Sequence, residues 1–195
     1  MASTESCTDV EITEERYFSA HHLLLRSASA SVMAAQGTAA HGRDFHILTA
    51  MVMSTLAVEA LCNAIGYRVV PGWKDFEQIS PWAKIRLICG ALGIDYDKGS
   101  APWQQLRPLL EFRNAIAHGK PERIISKRKV TSVEYDNLVI NRCAEPLSKF
   151  ELGLTIENAR LSLACVKRVE DILTSNLPEG SQMGLLVDAW THSVS

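Results

Sequence analysis

The 195-residue chain has no glycine-rich phosphate loop, no nucleophilic serine elbow and no zinc signature. Readings as a P-loop enzyme, a serine hydrolase or a zinc protein therefore have no starting point. No segment repeats, which excludes a solenoid. The five cysteines (Cys7, Cys62, Cys89, Cys143, Cys165) lack C-x-x-C spacing. Three fall in apolar helical patterns, which predicts buried reduced thiols rather than disulfides or metal ligands. Neither sign of charge dominates, with 20 Lys and Arg against 22 Asp and Glu. A net charge of −2 argues against a phosphate-binding coat, so any nucleic-acid contact must be local. The first ten residues offer neither a basic start nor an apolar core segment, which predicts no secretion leader and a cytoplasmic location. One run, Phe45–Ile65, is long and apolar enough to consider as a membrane span. It contains Thr49, Ser54, Thr55, Glu59 and Asn63, and a carboxylate and an amide near its middle favour a buried bundle helix without membrane contact.

Hydrophobic residues make up 47% and charged residues 22%, enough for one globular domain with a sizeable core. Apolar spacing predicts an all-α fold, a helical bundle of four or more helices. Residues 1–10 read as a flexible start, 11–178 as the bundle and 179–195 as a tail, in which Leu185, Leu186, Val187 and Trp190 could dock on a neighbour. The first helix is expected over Glu11–Gln36, starting from Thr13 or Thr8, with a small-residue stretch S-A-S-A-S suited to close packing. His21 and His22 lack a partner at ligand spacing, so exposed or capping roles are expected for them. A break over Gly37–Arg43 precedes a second helix near Asp44–Ile65, apolar on most sides and therefore central. Ser80-Pro81 is a cap followed by proline and starts a third helix to about Ala91, with Lys84 and Arg86 directed away from its core face. The next helix starts near Ser100 or Ala101-Pro102 and contains Pro108, which should bend or restart it. A helix over Val133–Cys143 and an irregular link over Pro146–Thr155 lead to a last helix capped by Thr155. That helix runs to about Leu177, with residues including Leu161 and Leu163 inward.

The stretch Leu109–Gly119, L-L-E-F-R-N-A-I-A-H-G, carries the chemistry. Leu109, Leu110, Phe112, Ile116 and Ala117 recur at helical spacing, and Gly119 stands where a left-handed stop is expected, with Pro121 beyond. Asn114 and His118 lie about one turn apart, while Arg113 and His118 are separated by roughly 140° and about 7.5 Å of rise. Both could border one cleft. An arginine that holds a phosphate and a histidine that moves a proton are two parts of a phosphodiester-cleaving site. The structural alternative is a surface ion pair for Arg113 and an interaction of His118 with the last helix carbonyls.

The Arg-Asn-(three residues)-His spacing ending in A-H-G resembles the RNA-cleaving motif of the HEPN superfamily. The resemblance implies a small helical protein, dimeric across its motif helices. The implied activity is metal-independent endoribonuclease chemistry, leaving 2′,3′-cyclic phosphate and 5′-hydroxyl ends, in toxin, phage-defence or RNA-processing systems. It assigns catalysis to Arg113, Asn114 and His118, and names RNA as substrate, with an antitoxin or other protein as a further partner. No cofactor and no metal is expected. Several HEPN families carry an acidic residue followed four later by a polar one on the second helix, which places Glu59 and Asn63 near Arg113 in support; a structural salt bridge is the alternative. Toxins silenced by a nucleotidyltransferase carry a tyrosine two residues after the histidine, where this chain has Lys120. Lys120, Arg123, Lys127, Arg128 and Lys129 follow the motif at once and could guide RNA in, or form a solvated loop. The rival reading is a HEPN-like dimer that binds RNA, a nucleotide or a protein without cleaving. A plain helical scaffold is the third.

Overall fold

The computed structural model describes residues 12–16, 18–125, 127, 129, 131–135, 146–181 and 190–194. Among the described residues, five helices run for more than two turns: α1 (Ala20–Gly37), α2 (Ala40–Val69), α3 (Pro81–Leu92), α4 (Trp103–Ala117) and α5 (Ile156–Ser175). A 3₁₀ turn (Trp73–Phe76) follows α2, and a single turn (Lys149–Leu152) precedes α5. Two short strands, β1 (Ile12–Arg16) and β2 (Trp190–Val194), pair antiparallel, with Ile12 opposite Val194 and Arg16 opposite Trp190.

The centre is α2, whose 30 residues span about 45 Å. It packs against α1, α3, α4 and α5. Its length and composition are those of a membrane-crossing helix, and half of its most apolar window is buried inside the bundle. The main core gathers Val58, Leu61 and Ile65 of α2, Ile85 and Ile88 of α3, Leu106 and Leu109 of α4, and Val166 and Val169 of α5. A smaller core joins Val32, Ala35, Ile47, Ala50, Met51 and Ala159. On α1 the buried positions are His21, Leu25, Ala28, Val32 and Ala35, spaced four and three residues apart, which is one helical face. The two small alanines, fully buried, let α1 lie close along α2.

Local chemistry explains the helix ends. Ser80 accepts from the Ala83 amide, Pro81 fills the first turn, and α3 closes when Ile94 donates to Cys89 and Gly93 to Gly90. That double bond pattern needs the left-handed backbone of Gly93, at φ 67°. Thr155 accepts from the Asn158 amide and starts α5, as the sequence predicts. Ser148 and Glu151 cap the turn before it reciprocally, within a segment expected to be irregular.

Several expectations need correction. The first helix starts at Ala20 rather than Glu11, because Ile12–Arg16 finds its strand partner in Trp190–Val194, near the other end of the sequence, which no local period reveals. The fold is therefore a helical bundle with a two-stranded ribbon joining parts of the expected N-terminal helix and tail. The break before α2 shrinks to Thr38 and Ala39. Pro108 does not restart α4, which continues from Trp103 to Ala117; the proline forfeits one bond near the helix start. Leu161 lies on the exposed side of α5. Gly119 is not left-handed: His118 is the C-cap, at φ −120°, and a Cβ on Gly119 would stand 3.0 Å from the Ala115 carbonyl oxygen, so close approach is what favours glycine there. Of the expected helix Val133–Cys143, residues 133–135 are helical, beginning from 132; its remainder, and Leu185–Val187, lie outside the described residues.

Candidate functional site

Three helices bring five polar side chains together beside the core. Glu59 and Asn63 are one turn apart on α2, Lys84 comes from α3, and Arg113 and Asn114 come from α4. Lys84 Nζ donates to Asn63 Oδ1 at 2.9 Å and to Glu59 Oε1 at 3.3 Å. The other carboxylate oxygen, Glu59 Oε2, lies 3.6 Å from Arg113 Nη2. Arg113 Nη1 donates to Asn114 Oδ1 at 3.2 Å. The chain of contacts is thus Asn63–Lys84–Glu59–Arg113–Asn114.

Burial grades this chain from inside to outside. The Lys84 side chain is 1% exposed, Glu59 31% and Arg113 36%. Burying an ammonium costs several kcal/mol unless partners replace its water, and Glu59 and Asn63 do so here. The Arg113 pair is different in kind. At 3.6 Å and a third exposed it contributes on the order of 1 kcal/mol or less. Lys84 is fixed, whereas Arg113 is held lightly, its side chain a third exposed.

Lys84 corrects the sequence reading, which directed it away from the core. The signal was present: Lys84 shares a helical stripe with Ile85, Ile88 and Cys89, all buried. The partly buried carboxylate of α2, on so apolar a helix, also called for a cation. Cys62, beside this cluster on α2, is fully buried, and burial raises its thiol to about 12 against the smaller opposing effect of Lys84. Cys89 and Cys165 are buried free thiols as well, both raised by burial to about 11.

His118 sits elsewhere. As the C-cap of α4 it is exposed, and its ring makes no hydrogen bond among the described residues. It lines a cleft of about 810 Å³ with Leu48, Ile116, Lys120, Glu122, Phe150 and Glu151. Phe150 stacks on Phe112 of α4 with ring centroids 5.0 Å apart, which fixes one wall. Hydrogen bonds from the Ser148 amide and hydroxyl hold the Glu151 carboxyl below its usual range. None of Glu59, Asn63, Lys84, Arg113 and Asn114 lines this cleft. Within a single chain the cleft that His118 lines does not include Arg113, whose guanidinium pairs with Glu59 instead.

Of the basic segment, Lys120, Arg123, Lys127 and Lys129 are exposed, and Lys120 borders the His118 cleft. Arg128 lies outside the described residues. The histidine pair on α1 differs from the exposed or capping expectation. His21 is fully buried, with one ring nitrogen at Ser19 Oγ and the other 3.1 Å from Glu170 Oε1 on α5. His21, His22 and Glu170 present ligand atoms within 4.8 Å of one another, the one such group among the described residues. With both nitrogens of His21 engaged by protein groups, the arrangement reads as a clamp between α1 and α5.

Comparison with protein-family models, with curated proteins and with solved structures finds no match at the level sought.

Proposed function

We propose that this protein is a homodimeric, metal-independent endoribonuclease of the HEPN type, cytoplasmic and acting in a toxin or phage-defence role. Glu59 placing Arg113 beside Asn114, one helical turn before a solvent-facing His118, is the observation that carries the reading. The 2′-hydroxyl of RNA attacks its own phosphate, and the 5′-oxygen leaves. One imidazole takes the hydroxyl proton and a second, protonated, gives one to the leaving oxygen. Arg113 carries the charge that develops on the phosphorane, and Asn114 orients a phosphate oxygen or His118. The products are a 2′,3′-cyclic phosphate and a free 5′-hydroxyl.

The chemistry calls for two imidazoles, and one chain supplies a single His118, in a cleft apart from Arg113. A two-fold dimer supplies both. An uncovered stripe on α2 supports such an assembly. Phe45, Leu56 and Tyr67 are eleven residues apart, hence nearly eclipsed along the helix, and Phe45 and Tyr67 are 71% and 69% exposed. Asn63 lies on the same line, so a second copy seated there borders the polar cluster.

The alternative, a dimer that binds RNA, a nucleotide or a protein partner such as an antitoxin without cleaving, draws on one specific observation: Arg113 is already paired with Glu59, outside the cleft that His118 lines. The test is incubation of pure protein with mixed RNA in excess chelator, with analysis of the ends. Cyclic phosphates and 5′-hydroxyls, absent with a 2′-deoxy substrate, establish the enzyme. Intact RNA, with binding lost in Arg113→Ala, establishes the binding module.

A further inference from the structure

We propose that Lys84 is a positioning residue that sets the charge of the Arg113 site, dividing Glu59 between two cations so that one positive charge remains for a phosphate oxyanion. The geometry is that of a shared counter-ion. Glu59 turns Oε1 to Lys84 at 3.3 Å and Oε2 to Arg113 at 3.6 Å. Lys84 cannot turn to a ligand itself: its side chain is 1% exposed and Asn63 takes another of its donors at 2.9 Å. Arg113, a third exposed, faces solvent. Two cations and one carboxylate leave one positive charge, and of the two cations the one that a phosphate can reach is Arg113.

Removing the buried ammonium changes that balance without touching the ligand. With Lys84→Met, a substitution of similar shape, Glu59 and Arg113 form a neutral pair, and Glu59 is free to satisfy the guanidinium alone. With Glu59→Gln the site carries two positive charges. With both substitutions the charge returns to one, now carried by Arg113 alone. A lysine that merely props up the fold produces no such cancellation.

The inference rests on Arg113 being a phosphate-binding group, and its test reads binding rather than cleavage. The probe is a short fluorescent RNA, 2′-O-methylated throughout and so uncleavable, titrated by anisotropy at low and moderate salt. Helicity and thermal unfolding check that each variant is folded. Lys84→Met is expected to weaken binding by roughly five- to tenfold and Glu59→Gln to strengthen it by a similar factor. The double variant should return to within about twofold of the parent, and raising salt should shrink all the differences. Unchanged affinity in Lys84→Met overturns the proposal, as does a double variant that stays as weak as Lys84→Met. If Lys84→Met does not fold, Glu59→Gln alone decides: tighter binding supports the proposal and unchanged binding refutes it. Loss of RNA cleavage in the parent, with the charge cycle intact, removes the enzyme reading and leaves this one standing; cleavage by the parent with no cycle does the reverse.

Discussion

Gly66 and Gly90 make a paired test of how α2 and α3 are packed. Gly66 is buried near the end of α2, and a Cβ there would stand 2.5 Å from three carbons of the Trp73 ring. Ordinary carbon contacts are about 3.5–4.0 Å, so the ring or the helix must move by roughly 1 Å. Trp73 is 3% exposed and has no room to swing into solvent. Alanine gains about 1 kcal/mol in helix propensity, while overpacking costs about 1–3 kcal/mol. A buried aromatic ring face as the obstacle puts the cost at the upper end, about 2–3 kcal/mol, so Gly66→Ala should lose about 1–2 kcal/mol net. For a domain of this size that lowers Tm by about 2–8 °C. Gly90, exposed on α3, meets nothing within 4 Å of an added Cβ and has no positive φ. Gly90→Ala should therefore gain about 0.5–1 kcal/mol. Urea unfolding followed by circular dichroism, with tryptophan fluorescence as a second probe, measures both. A Gly66→Ala protein as stable as the parent would refute the close approach of Trp73 to α2.

Three further outcomes are expected. His118→Ala should leave Tm nearly unchanged, because the ring is exposed and lacks a hydrogen bond among the described residues, yet reduce RNA cleavage by about 10²–10⁴; equal loss of fold and activity would point to a structural histidine. Neutralising Lys127, Arg128 and Lys129 together should weaken RNA binding and flatten its salt dependence, with single-turnover cleavage at saturating protein unaltered. The buried thiols should resist a thiol-specific colorimetric reagent at pH 8 until the protein is unfolded. Burial raises Cys62 from 9.0 to about 12, so between those values the folded chain keeps a proton that the unfolded chain releases. Stability thus falls as pH rises above about 9, on the order of 1 kcal/mol per pH unit for this thiol, and Cys62→Ala should reduce that slope.

Much of the helical framework follows from local signals. The caps Ser80 and Thr155, the proline after Ser80 and the apolar periods of α2 and α5 act within one or two turns, so they can be read before any tertiary contact is known. What local reading misses depends on partners far along the chain. The ribbon of Ile12–Arg16 with Trp190–Val194 is one case, since I-T-E-E-R carries too few residues to show a period by itself. The seating of His21 between Ser19 and Glu170 is another, because Glu170 lies 149 residues away and on the inward edge of α5. Gly119 is a third: a glycine after a helix suggests the left-handed backbone, while the actual constraint is the approach of the Ala115 carbonyl.

The candidate site divides along the same line. Glu59, Asn63, Arg113 and Asn114 are visible as residue types at helical spacing, and a carboxylate on so apolar a helix requires a cation somewhere. Two sequence cations answer that demand, Lys84 and Arg113, and only burial separates their roles. The lysine occupies the inward side of α3, where water cannot replace the carboxylate, so its bond to Glu59 is obligatory. The arginine sits at the rim, where water or a phosphate can replace the carboxylate at little cost. An exchange of that kind is what anion binding at Arg113 requires: the incoming oxyanion takes the guanidinium, and Glu59 remains compensated by the ammonium behind it. Without Lys84 the same exchange would strand a carboxylate beside the incoming anion, two like charges at one site. On the reading proposed above, the buried lysine is what makes the outer pair breakable, and a breakable Arg113 pair is what would let the motif on α4 engage a phosphate.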